Sequence, residues 1–195
     1  AHVRDVYLEE AGILASVKSA PLLIDCSTID VETARHVAGK ASDAGLLMLD
    51  APVSGGVMGA EAATLTIMVG GPDEAFKLAE PVLGTMGKNV IHAGGTGNGQ
   101  VAKVCNNMIL GATMIAVCEG FTMAEKLGLD KQKLYDICST ATSSCWALNN
   151  YCPVPGPVPD SPANRDYAAG FTAAMMLKDL KLAQSAAHDA GVATP

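Results

Sequence analysis

"DAPVSGGVMGAEAATLTIMVGG" spans residues 50–71, and its reading decides the fold. The runs DAPV and TLTIMV are apolar and short, which marks buried strands. Between them, Ser54-Gly55-Gly56 presents bare backbone. A glycine pair costs chain entropy but permits φ > 0 or a close backbone approach. A tight turn and a ligand-binding loop are both open readings of this stretch alone.

The flanking segments extend the pattern. "PLLIDCST" (21–28) reads as a buried parallel strand. "DVETARHVAGKASDAG" (30–45) has helical spacing, with Asp30 as N-cap and Gly45 just past the C-terminus. "LLMLDAPV" (46–53), "TLTIMVGG" (64–71) and "NVIHAG" (89–94) are three further strands. "PDEAFKLAEPVLGTMG" (72–87) predicts a helix with Pro72 at its first position and acids in its first turn, kinked or split at Pro81. Strands alternating with helices predict an α/β sheet.

From Gly99 the strand pattern stops. A long apolar helix is predicted, then helices near 130–142 and 172–190, separated by the loop "YCPVPGPVPDSPANRDY". The expected organisation is an α/β domain over 1–95 and a helical domain over 96–195, divided at "GGTGNG" (94–99). Within that cluster, Gly97-x-Gly99-x-x-Ala102 loosely matches a dinucleotide fingerprint. No strand ending in an acid follows, so the favoured reading is a hinge that caps the long helix. The chain opens on "AHVRDVYLEEAGIL", which reads as the middle of a helix, and closes on "GVATP". The expectation is that the ends of a longer protein lie outside it.

Composition narrows the function. Hydrophobic residues make up 49% of the 195, but aromatics only 4%, so aliphatic side chains must fill the core. Mean hydropathy is +0.26. Thirteen basic against twenty acidic residues give a net charge of −7, which argues against nucleic acid or an anionic membrane as partner. A small anionic substrate remains compatible, because local charge can oppose net charge. Six cysteines show no CxxC spacing and predict no metal site. Cys26, Cys105 and Cys118 lie in apolar runs and are expected in the core, in a reducing compartment such as cytoplasm or an organelle matrix. The uncharged run Met108–Cys118 has eleven residues, short of the roughly 20 that span a bilayer, and predicts a buried helix. Trp146 is expected to pack, and His2, His36, His92 and His188 receive no role.

The long helix begins "GQVAKVCNNMILGATMIAVCEG". Gln100, Lys103 and Asn107 interrupt it at spacings of three and four and share one face, flanked by Asn106. Polar groups on a helix built for burial are costly unless partnered. They are either a solvated first turn or a site. In a site, the positive end of the helix and partial burial would both disfavour the ammonium form of Lys103, suiting it to proton transfer.

"DAPVSGG" (50–56) followed by "GTGNGQVAKVCNN" (95–107) resembles the 3-hydroxyacid dehydrogenase family. The family motifs D-x-P-V-S-G-G and G-x-G-x-x-x-K-x-x-N-N match residues 50–56 and 97–107. "CWALNNYCPVPG" (145–156) resembles the 3-hydroxyisobutyrate dehydrogenase branch, and "FTAAMMLKDLKLA" (171–183) also fits the family. The resemblance implies the back part of a Rossmann-type parallel sheet followed by an all-helical domain. It implies Lys103 as catalytic lysine and Asn107 holding the hydroxyl or carboxylate region of the substrate. It implies Ser54, Gly55 and Gly56 as donors to the substrate carboxylate, and Thr28 and Lys178 as contacts to NAD. Thr28 could instead begin a turn, and Lys178 with Asp179 could be a solvated face. The implied reaction is NAD-dependent oxidation of 3-hydroxyisobutyrate to methylmalonate semialdehyde in valine breakdown. Apart from the resemblance, the long apolar helix of the helical half, too hydrophobic for solvent, suggests a homo-oligomer interface. Tartronate semialdehyde reduction is the near alternative, and a non-catalytic assembly protein the distant one. The family's N-terminal phosphate loop has no counterpart in this sequence.

Overall fold

The computed structural model describes residues 2–168 and 170–194. It contains two compact units: the chain up to Cys105 with the stretch from Lys181 onward, and Asn106–Leu180.

In the first unit, helices α1 (His2–Leu8) and α2 (Ile13–Ser16) precede strand β1 (Leu23–Asp25) and helix α3 (Val31–Asp43). The single helix expected at the start is broken between α1 and α2. Asp30 caps α3 as expected, its Oδ1 accepting from the Thr33 amide at 2.7 Å. Gly45 follows with φ of 73°. Val37 and Ala41 on α3 pack with Tyr7, Leu23, Leu46 and Met48.

Strand β2 (Met48–Asp50) pairs parallel to β1, with Leu23 opposite Met48. Strand β3 (Val53–Ser54) continues the same line after Ala51-Pro52, and both run antiparallel to β4 (Leu65–Gly70). Asp50 faces Gly70 and Ser54 faces Thr66 in a single register. Pro52 has no amide for the ladder, yet its carbonyl accepts from the Met68 amide at 3.0 Å. Strand β5 (Gly87–Gly94) is parallel to β4. The sheet is therefore mixed, with one antiparallel junction. Its cause is local: β3 and β4 are joined by the six-residue helix α4 (Gly56–Glu61), too short a connection for a parallel crossover.

Helix α5 (Asp73–Leu83) joins β4 to β5. Two expectations are corrected here. Pro72 is the N-cap, and α5 runs unbroken through Pro81. Pro81 forfeits one amide in the last turn, while Ala75, Ala79 and Leu83 anchor the helix on the sheet. The core between them is aliphatic, built on Leu49, Leu65, Ile67 and Val69.

Helix α6 (Asn98–Lys126) leads out of β5. In the second unit it is followed by α7 (Lys131–Cys138), α8 (Trp146–Asn149) and a 3-10 turn at Pro162–Asn164. Helix α9 (Ala173–Asp189) ends the fold. Phe121, Leu148 and Cys152 form the small core of this unit.

The expectation that α6 is buried does not hold. Ile109, Ile115 and Met123 are each more than half exposed. By length and composition α6 could also cross a membrane, because its apolar window extends past the eleven uncharged residues. Cys26 and Cys105 are exposed and Cys118 is half-buried, so the cysteine expectation is corrected as well; Cys152 is the buried one. Trp146 is more than half exposed and stacks on Tyr151. His92 has partners after all: it stacks on Phe76 at 4.7 Å, and its Nε2 lies 2.9 Å from the Gly71 carbonyl.

Candidate active site

Strand β2 delivers Asp50 to the start of α6. Its Oδ1 accepts from the Gly97 amide at 2.7 Å and its Oδ2 from the Gln100 amide at 2.9 Å. The carboxylate therefore occupies the positive end of the helix and satisfies orphan amides there. Burial pushes the Asp50 carboxyl above the usual carboxylate range, against the opposing pull of those amides. Gly70 and Gly99 follow from this close approach. A Cβ at Gly70 would lie 2.6 Å from Asp50 Oδ1, and one at Gly99 would lie 2.5 Å from the Asp50 carbonyl. At the loose dinucleotide match, the Gly97 and Gln100 amides are thus taken up by the Asp50 carboxylate. Sequence reading missed Asp50 as a working residue, although it opens the DAPVSGG motif.

Gln100 is fully buried. Its Oε1 accepts from the Ile29 amide at 3.1 Å, and its Nε2 donates to the Ser27 carbonyl at 2.8 Å. Asp25 Oδ1 accepts from the Ser27 amide at 2.7 Å. Half-buried Thr28 is thus held in a loop pinned on both sides. One helical turn beyond Gln100 stands Lys103, only 7% exposed. With Gln100, Lys103 and Asn107 all buried, the reading of a solvated first turn fails.

Ser54 ends β3 half-buried, and Gly55 and Gly56 turn the chain into α4. Both glycines have positive φ, 137° and 64°. A Cβ on Gly55 would press Leu65 at 3.0 Å, whereas the space beside Gly56 is open. The first amides of α4 have no acceptor within the helix, so this turn offers donors.

In the second unit, Asn107 and Lys178 meet at one carboxylate. Asn107 Nδ2 donates to Asp179 Oδ2 at 2.5 Å, and Lys178 Nζ lies 2.8 Å from Asp179 Oδ1. Asn107 Oδ1 accepts from Asn106 Nδ2 at 2.9 Å. Asp179 is 2% exposed, so it is not part of a solvated face, whereas the Lys178 side chain is half exposed. Sequence reading left Asp179 without a role. Its spacing of 72 residues from Asn107 gave no local signal.

Two family models cover the chain. The NAD binding domain of 6-phosphogluconate dehydrogenase matches residues 1–95. The model described as NAD-binding of NADP-dependent 3-hydroxyisobutyrate dehydrogenase matches residues 97–195. The chain is 51% identical over 194 residues to a 3-hydroxyisobutyrate dehydrogenase of Pseudomonas aeruginosa, covering 100% of this chain and 65% of that protein. It is 46% identical over 194 residues to an NAD-dependent L-serine dehydrogenase of the same organism, again covering 100% and 65%. Among solved structures, Mycobacterium tuberculosis 3-hydroxyisobutyrate dehydrogenase with L-serine superposes with a TM-score of 0.90 at 53% identity, over 94% of this chain and 63% of that one. The chain thus spans a little under two thirds of the length of each of these relatives.

Proposed function

This chain belongs to the 3-hydroxyisobutyrate dehydrogenase family, and on that premise we propose that the whole protein oxidises 3-hydroxyisobutyrate to methylmalonate semialdehyde with NAD. The observation that carries the proposal is the burial of Lys103 on the polar face of α6. Lysines are seldom this buried, and buried titratable side chains concentrate at functional sites.

NAD, when bound, accepts the hydride from the carbinol carbon. Thr28, at the carboxyl end of β1, suits the nicotinamide side of the cofactor, since ligands of such sheets lie beyond the strand ends. Lys178 contributes a cation towards the same cofactor. The substrate carboxylate is taken by the Ser54 hydroxyl and the amides of Gly55 and Gly56, with the open space beside Gly56 leaving room for it. Lys103, as the neutral amine, takes up the hydroxyl proton as the hydride leaves, and the ammonium so formed stabilises the charge that develops on the substrate oxygen. Asn107 has one amide hydrogen committed to Asp179 and a second left for a substrate oxygen. Under this reading residues 1–95 form the dinucleotide-binding domain, which also carries the Ser54–Gly56 turn, and residues 96–195 form the helical substrate and assembly domain, which also supplies Lys178. The exposed Ile109, Ile115 and Met123 favour a homo-oligomer. Its place is the cytoplasm or, in a eukaryote, the mitochondrial matrix, and the net charge of −7 argues against an anionic membrane as partner.

A second reading is favoured by a specific observation: one relative is named for L-serine oxidation, and the solved relative holds L-serine. L-Serine shares the 3-hydroxy acid frame and differs at the second carbon. Steady-state kinetics of the full-length protein on 3-hydroxyisobutyrate, L-serine and glycerate separate the readings. The proposal expects kcat/KM for 3-hydroxyisobutyrate at least about tenfold above the other two, the scale of one pocket group. A higher value for L-serine or glycerate assigns the site to that acid.

A further inference from the structure

We propose that Gln100 is a positioning residue that sets the nicotinamide-facing loop against the start of α6, and so fixes the distance between Thr28 and Lys103. This rests on the dehydrogenase reading given above. Gln100 uses its amide in both directions, accepting from Ile29 and donating to Ser27 across 71 and 73 residues of chain. Those two backbone groups bracket Thr28. The main chain of Gln100 is tied as well, its own amide donating to Asp50 Oδ2. The residue is therefore fixed at both ends, to the sheet through Asp50 and to the loop through its side chain. Lys103 follows three positions later on the same face of a rigid helix.

The chemistry at this position is specific. A neutral fork with one donor and one acceptor matches a carbonyl and an amide two residues apart. A glutamate keeps the acceptor for Ile29 but faces the Ser27 carbonyl with a second acceptor. A leucine fills similar volume and makes neither bond. Hydride transfer depends on alignment, and a misplacement of about 1 Å can cost on the order of 10²-fold.

The test compares the full-length enzyme with Gln100→Leu and Gln100→Glu. Melting curves report folding, calorimetry reports NAD affinity, and kinetics with substrate deuterated at the carbinol carbon report hydride transfer. In folded Gln100→Leu we expect NAD to bind about tenfold more weakly and kcat to fall about 10- to 100-fold with a larger isotope effect. KM for the hydroxy acid stays within about twofold, because its carboxylate is held by the Ser54–Gly56 turn, which Gln100 does not touch. Gln100→Glu falls between Gln100→Leu and the parent, since it retains one of the two bonds; where Gln100→Leu fails to fold, Gln100→Glu alone decides. A lower melting temperature with unchanged NAD affinity, kcat and isotope effect overturns the proposal, and so does failure of both variants to fold. If the parent enzyme oxidises no small hydroxy acid, the dehydrogenase reading fails instead, and the calorimetric comparison still decides whether Gln100 shapes the NAD site.

Discussion

The carboxylate of Asp50 holds the backbone amide of Gly97 at 2.7 Å, across 47 residues of chain. This contact joins the end of β2 to the first turn of the helix that carries Lys103. It also explains glycine at positions 70 and 99, since a side chain at either would strike the same carboxylate or its neighbours.

Removing that cap exposes its contribution. Hydrogen bonds to a charged group contribute about 1.5–3 kcal/mol each, and Asp50 makes two to backbone amides that otherwise stay buried. Asp50→Ala is expected to destabilise the protein by about 3 kcal/mol or more, read from urea unfolding at neutral pH.

The same residue has a pH signature. Burial raises the Asp50 carboxyl in the folded state above its ordinary value. The native state then binds that proton more tightly than the unfolded chain does. The stability tied to this proton is fully present below the unfolded pKa and is lost as pH rises through the raised one. Urea midpoints for the parent, compared with Asp50→Asn between pH ~4 and ~7, should show an extra decline with rising pH in the parent. Parallel curves would mean that Asp50 does not titrate differently on folding.

Much of this fold is legible from local chemistry. The Asp30 cap, the glycine after α3 and the four apolar strands rest on contacts between near neighbours. Helix α4 escaped because GVMGAE is short and glycine-rich. The phase of α6 escaped because its apolar residues cover all sides. Once Gln100, Lys103, Val104 and Asn107 are seen to be buried, Val101, Cys105 and Ile109 fall on the exposed face. Asp50 and Asp179 act on partners 47 and 72 residues away, a separation that no local pattern encodes.

Asp179 should matter to the second unit beyond its charge. It holds Asn107 through a buried bond and pairs with the half-exposed Lys178. Asp179→Ala leaves the Asn107 amide short of an acceptor, a cost of about 1–3 kcal/mol. Thermal unfolding should show the loss, and Asp179→Asn should recover part of it by keeping one carbonyl acceptor. Full stability in Asp179→Ala would contradict the network.

The Gly56 turn tests the proposed carboxylate site. Its φ of 64° is left-handed, and the space beside it is open. Gly56→Val is expected to raise KM for the hydroxy acid by about tenfold or more, because a branched side chain enters the open space and resists φ > 0. KM for NAD should stay unchanged. An unaltered KM for the acid in a folded variant would leave the turn without a binding role.

The most direct test of the account is the turnover of Lys103→Ala in the full-length enzyme, measured by single-turnover hydride transfer at saturating NAD. General acid–base catalysis contributes about 10² to 10⁴-fold and electrostatic stabilisation adds to it, so kcat should fall by at least about 10³-fold with NAD affinity nearly unchanged. Lys103→Arg should not restore it, because a guanidinium stays protonated near neutral pH. A folded Lys103→Ala enzyme that keeps more than about a tenth of the parent kcat would contradict the catalytic role of Lys103.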